Sequence, residues 1–127
     1  MKTATQTIEA AFRKSTVYQV TDDIAAEDYT EALALLNGFL NGLNSRGAVF
    51  PTVALTLSSN VPIYDHQEQD LEWALAKAMA PIWGKVLQGQ SAVEATQGET
   101  RFIAQYTRVY GATPDAGLTR MPSQRRA

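Results

Sequence analysis

The chain contains no cysteine, which excludes a disulfide scaffold and thiol chemistry. It has a single histidine, His66, so a zinc site would have to be built almost wholly from carboxylates, and no metal is expected. No run of about eighteen apolar residues occurs and no basic-then-apolar segment opens the chain, so neither a membrane span nor a secretory signal is predicted. The expected setting is the cytoplasm or an assembly made there. Also absent are a glycine-rich phosphate loop, an HExxH pair and a serine or cysteine nucleophile with a credible base. No catalytic residue and no cofactor is assigned.

What remains is a chain of 127 residues, 45% hydrophobic, long enough for one core and too short for two. Its charge is uneven. Before residue 112 eight basic residues face twelve acids, a body of −4. Beyond it Arg120, Arg125 and Arg126 face only Asp115, giving +2 to a segment that also holds Pro114, Gly117 and Pro122. Residues 1–111 are therefore predicted as a helical domain, and residues 112–127 as an extended arm.

The centre of the predicted core is Asp70–Leu87, where Leu71, Ala74, Leu75, Ala78, Met79 and Ile82 recur at the three-and-four spacing of one helix face. Pro81 removes a backbone donor and clashes with the preceding turn, so Ala80 marks the end of regular geometry or a kink. Upstream, Ile8, Ala11, Phe12 and Ser15 after Thr5-Gln6-Thr7 predict a short helix with Glu9 in its first turn. Val17–Val20 is a strand or an extended connector. A second long helix spans Glu27–Leu43, with Leu33, Leu36 and Leu40 facing the central helix, and its acidic approach offers Asp23 or a neighbour as cap. Asn37-Gly38 and Asn41-Gly42 are weak helix formers, which predicts a close helix approach or fraying there; Gly47 is the stop. Asp65 is the expected cap of the central helix, and a last helix covers about Ala92–Tyr110 with Ala92, Thr96, Ile103, Tyr106 and Tyr110 inward.

Between Ala48 and Ile63 the period changes to two. Val53, Leu55 and Leu57 share one face, while Thr52, Ala54 and Thr56 share the other, which predicts a β-hairpin or an extended loop insertion. Such a ribbon has too little surface of its own, so it is expected to project and to contact an adjacent subunit or another protein through Val53, Leu55 and Leu57. The fold class is thus mainly all-α: a small bundle of about four helices with a hairpin or loop insertion and a carboxy-terminal arm.

Other candidate groups read as structural. Glu68, Asp70 and Glu72 sit at i and i+2 spacings that point different ways around a helix, and His66 lacks a partner in the sequence. Trp73, Trp83, Tyr106 and Tyr110 suit a core or interface. The arm offers Leu118 and Met121 as apolar anchors beside Arg120, a composition that fits docking in an extended groove.

In order, the segments TIEAAFRKS, ALALLNGFLNGLNSRG, LEWALAKAMAPIWG and an arm containing RMP resemble the head-to-tail adaptor proteins of tailed bacteriophages, closest to the tail accessory or packaged-DNA-stabilisation group of short-tailed phages. The detail lies in Leu75–Gly84, with its AP-x-x-G break, and in Thr119–Ser123. The resemblance implies a virion protein at the head-tail junction. It would bind beneath the portal protein, form a ring of itself matching the portal's twelvefold symmetry, help retain packaged DNA and receive the downstream tail or nozzle protein. DNA would pass through its channel without sequence-specific binding. The portal-binding residues would be Leu118, Arg120, Met121, Pro122, Arg125 and Arg126. The alternatives are a DNA-binding accessory module, for which only the arm supplies basic charge, and a cell-wall hydrolase using Asp22 or Asp23 with Glu68.

Overall fold

The computed structural model describes residues 2–19 and 22–107. Four α-helices dominate: α1 (Ala4–Lys14), α2 (Ala26–Gly42), α3 (Glu68–Met79) and α4 (Gly89–Tyr106). Single 3-10 turns, Leu43–Arg46 and Asp65–Gln67, follow α2 and precede α3. The mainly helical expectation holds, and no strand forms among the described residues.

α1 begins at Ala4 because Thr3 closes a capping box, in which the Gln6 N–H donates to Thr3 Oγ1 at 3.2 Å and the Thr3 N–H donates to Gln6 Oε1 at 3.0 Å. Glu9 therefore lies beyond the first turn, contrary to expectation, and instead accepts from the Tyr29 hydroxyl at 2.6 Å. α2 starts after Ala25 without any side-chain cap; Glu27 and Asp28 in its first turn suit the helix dipole. Asp22 accepts from the Gln19 N–H at 2.9 Å. Gly47 ends the following 3-10 turn at φ 86, the left-handed stop that its position predicts.

α3 is the core helix, with Leu71, Leu75 and Met79 fully buried. It begins at Glu68; Asp65 belongs to the preceding 3-10 turn rather than capping the helix. Regular geometry ends at Met79, one residue ahead of Ala80-Pro81, and the chain reverses through Gly84 at φ 76, where the Lys85 N–H donates to the Ala80 carbonyl at 2.8 Å. This turn carries Ile82 out of the core, leaving it 50% exposed instead of on the inner stripe. Trp83 packs back, its ring edge-on to Phe12 at 5.0 Å, and Tyr18 meets the same phenylalanine at 5.2 Å.

The principal neighbours of α3 are α4 and then α1, with α2 a lesser one. That corrects the expectation that α2 is its partner, although Leu36 and Leu40 of α2 are fully buried in the same core. The close approach predicted at Gly38 or Gly42 is absent there, since a Cβ on either would meet open space. It occurs at Gly98, where a Cβ would lie 2.9 Å from the Trp73 Cβ and 3.3 Å from the Asp70 carbonyl oxygen. α4 also starts earlier than expected and buries Ala95, Gly98 and Phe102 rather than Ala92 and Thr96. A stripe centred on Phe102 lets that ring contact Phe39, Phe50 and Tyr106. Tyr110 lies outside the described residues.

A carboxylate is buried at the edge of this core. Glu72 is only 2% exposed, and its carboxylate is met by Lys2 Nζ at 2.6 Å and Lys14 Nζ at 3.5 Å. Lys14 also lies over the Trp73 ring at 5.2 Å.

Candidate interaction surface

From Gly47 to Tyr64 the chain carries no charged residue, and this stretch builds the most distinctive surface of the protein. Its centre runs antiparallel to α2 in extended form. Three asparagines of α2 and the adjoining 3-10 turn hold it there. Asn37 Nδ2 donates to the Leu55 carbonyl at 3.1 Å and its Oδ1 accepts from the Leu55 N–H at 2.8 Å. Asn41 makes the same pair with Val53, at 2.9 and 2.8 Å. Asn44 makes it with Phe50, at 3.0 and 3.2 Å.

Each carboxamide thus presents one donor and one acceptor to the main chain, as a residue of a neighbouring strand would. The spacing explains why a helix can do this. Asn37 and Asn41 are four residues apart, a rise of about 6 Å along a helix. Val53 and Leu55 are two apart, about 6.6 Å along a strand. The two repeats nearly coincide, so Asn37 and Asn41 meet alternate residues on one strand edge, whereas Phe50, held by Asn44, lies three residues before Val53 and off this two-residue repeat.

The far end of the segment is fixed by α1. Its first N–H groups, which have no partner within a helix, donate from Ala4 to the Ser59 carbonyl at 2.8 Å and from Thr5 to the Leu57 carbonyl at 3.1 Å. The return leg does not pair with the outgoing one. It leaves toward the amino terminus, where Asn60 bridges Thr3 and the Val61 N–H donates to the Lys2 carbonyl at 2.9 Å. Among the described residues no β-hairpin is formed there.

The period-two alternation is present, but its apolar face looks inward. Val53, Leu55 and Leu57 are half-buried against the protein's own core, and Thr52, Ala54 and Thr56 are exposed. The segment lies on the helical body rather than projecting from it, which corrects that expectation. The outward-facing main chain is different. Among the described residues the N–H and C=O groups of Thr52 and Ala54 make no hydrogen bond, because alternate residues of an extended chain direct these groups to opposite edges and the inner edge belongs to the asparagines. Beside this edge lies an apolar groove of about 360 Å³ lined by Phe50, Pro51, Pro62, Ile63, Tyr64 and Tyr106.

The remaining candidates are placed as follows. Asp70 receives Arg101 Nη2 at 3.1 Å, while Glu72 faces the two lysines, so the neighbouring carboxylates do point apart. His66 is exposed and stacks on Tyr64 with ring centroids 5.8 Å apart. Tyr106 donates to Gln67 Oε1 at 2.6 Å, and burial pushes its phenol above the ordinary value. No cluster of three metal-ligating side chains occurs among the described residues, and no helix there is long and apolar enough to cross a membrane. The predicted portal-binding residues Leu118, Arg120, Met121, Pro122, Arg125 and Arg126 lie outside the described residues.

The asparagine ladder was missed by sequence reasoning, although a signal existed. Asn37, Asn41 and Asn44 follow i, i+4, i+7, which is one helix face. Comparison with protein-family models, curated proteins and solved structures finds no match.

Proposed function

We propose that this protein is a head-to-tail adaptor of a tailed bacteriophage. In this reading it binds beneath the portal, assembles as a ring of about twelve copies, helps retain packaged DNA and receives the next tail or nozzle protein. The reading rests on the ordered sequence resemblance, and the observation that carries it is the Ala80–Gly84 turn. The AP-x-x-G residues at the heart of that resemblance end α3, seat Trp83 on Phe12 and leave Ile82 and Val86 exposed at 50% and 77%. A tight, packed turn displaying apolar residues suits a subunit whose neighbours cover them.

Two finer features belong to the same proposal. The arm 112–127, basic and proline-bearing, is the portal-binding element through Leu118, Arg120, Met121, Pro122, Arg125 and Arg126. The extended insertion contacts a neighbouring subunit or tail protein. The net negative body favours sliding of DNA over sticking.

Cryo-microscopy of the protein mixed with portal rings tests this directly. The expected result is an added ring beneath the portal, lost on truncation after Gly111 with helical content retained. Absence of binding to cognate portal rings would sink the reading, and undiminished binding of the truncated chain would remove the arm from it.

A further inference from the structure

The outer edge at Thr52–Ala54 is self-complementary, and we propose that two copies of this chain associate by pairing that edge antiparallel with itself. The proposal does not depend on the adaptor reading. It rests on main-chain groups whose inner counterparts are already satisfied.

Thr52 and Ala54 each offer one N–H and one C=O on the same side of the segment, two residues apart, with no hydrogen bond among the described residues. In an antiparallel pair, residues exchange both hydrogen bonds at every second position. Placing Thr52 opposite Ala54 of a second copy puts Ala54 opposite that copy's Thr52. Four hydrogen bonds then satisfy all eight groups, and the two-fold axis passes at Val53. No other antiparallel register uses all of them. This is an isologous contact, the same patch serving both partners.

Three further observations select a second copy as the occupant. Natural edge strands are guarded against such pairing chiefly by charged side chains; no charge occurs from Gly47 to Tyr64, and Pro51 stands just outside the four paired positions, at a residue whose N–H would face the inner edge. Two copies thus meet without like-charge repulsion. The outward side chains Thr52, Ala54 and Thr56 are small and exposed, so nothing bulky obstructs a neighbouring strand. Pro51 is shared between the edge and the apolar groove, so a strand on the edge also covers groove surface and adds apolar area to the hydrogen bonds.

The inner edge makes this pairing affordable in conformational entropy. A free ribbon would have to be ordered on association, whereas the asparagine ladder and the α1 amino terminus already hold this one straight. The occupied edge is the reason the open edge is ready.

Full-length protein provides the test. Because the chain has no cysteine, a disulfide in any single-cysteine variant must join two copies. The proposed register places Val53 opposite its counterpart with Cα atoms about 4.5 Å apart, inside the range that a disulfide spans. Thr56 is about 20 Å from its counterpart in that register. Val53→Cys should therefore form covalent dimers under mild oxidation at least tenfold faster than Thr56→Cys. Unmodified protein should show concentration-dependent dimers by sedimentation up to about 1 mM, weakened at least tenfold by Ala54→Pro, which deletes a donor that the monomer does not use. Circular dichroism checks that this variant keeps its helices, and Ala54→Lys, which leaves the backbone donor in place but brings in charge, should weaken association in the same direction. A wild-type protein that stays monomeric throughout would overturn the proposal. So would equal cross-linking at positions 53 and 56, or dimers indifferent to Ala54→Pro and Ala54→Lys.

Discussion

Asn41 and Val53 lie twelve positions apart and exchange two hydrogen bonds, Val53 N–H to Asn41 Oδ1 at 2.8 Å and Asn41 Nδ2 to the Val53 carbonyl at 2.9 Å. A side chain on a helix here takes the place of a β-strand. Net contributions of about 1 kcal/mol per neutral hydrogen bond are modest singly, but the ladder repeats the pair three times and fixes the register of the whole insertion.

Asn41→Ala should therefore cost about 1–2 kcal/mol and leave the helices intact. The sharper readout is amide hydrogen exchange. Protection at Val53 should fall, while Leu55, held by Asn37, keeps most of its own. Unchanged exchange at Val53 would show that the pairing contributes nothing in solution.

Gly98→Ala sets two effects against each other. Replacing glycine by alanine within a helix gains about 1 kcal/mol of propensity. The new Cβ would sit 2.9 Å from the Cβ of Trp73, an atom fixed to the α3 backbone, and overpacking of this kind costs about 1–3 kcal/mol. The clash wins. A lowered melting temperature is expected, and a raised one would mean that α3 and α4 separate without penalty.

Glu72 is 2% exposed and relies on Lys2 and Lys14. Replacing both lysines by alanine should destabilise the fold by about 3 kcal/mol, as stranding a buried charge does. Either single replacement should cost less because one cation remains. Denaturant titration of the three variants measures this, and equal stabilities would refute it.

Tyr29 is pushed up from 10.0 to about 12, first by burial and then by its hydrogen bond to Glu9. The folded state thus holds the phenolic proton more tightly than the unfolded chain. Its stabilising contribution is full below pH 10.0, declines as pH rises from there and is gone above about 12. Glu9→Gln should lower the pKa of this phenol toward its ordinary value, followed by phenolate absorbance against a Tyr29→Phe blank. An unmoved titration would disconnect the two side chains.

Much of the fold was legible because apolar periodicity and backbone chemistry are local. The three-and-four spacing of Leu71, Leu75 and Met79 marks α3, Pro81 forces its end, and Gly47 and the alternation of Val53, Leu55 and Leu57 stand where the residues alone place them. The functional expectation rested on resemblance, and most of its named residues lie beyond Thr107.

Tertiary structure alone decided which surfaces meet. Helix propensity marks Asn37 and Asn41 as weak points of α2, and only the presence of an extended chain beside them turns their carboxamides into a ladder. Gly98 looks like a weak helix position, and only the passage of Trp73 past it explains the missing side chain. Glu72 reads as a structural carboxylate near its helix start, and two lysines converging from residues far away in the chain allow it to be buried. A sequence pattern states which face of an element is apolar. Which partner that face meets, and which polar groups are satisfied there, depends on contacts between residues distant in the chain, where no periodicity carries the information.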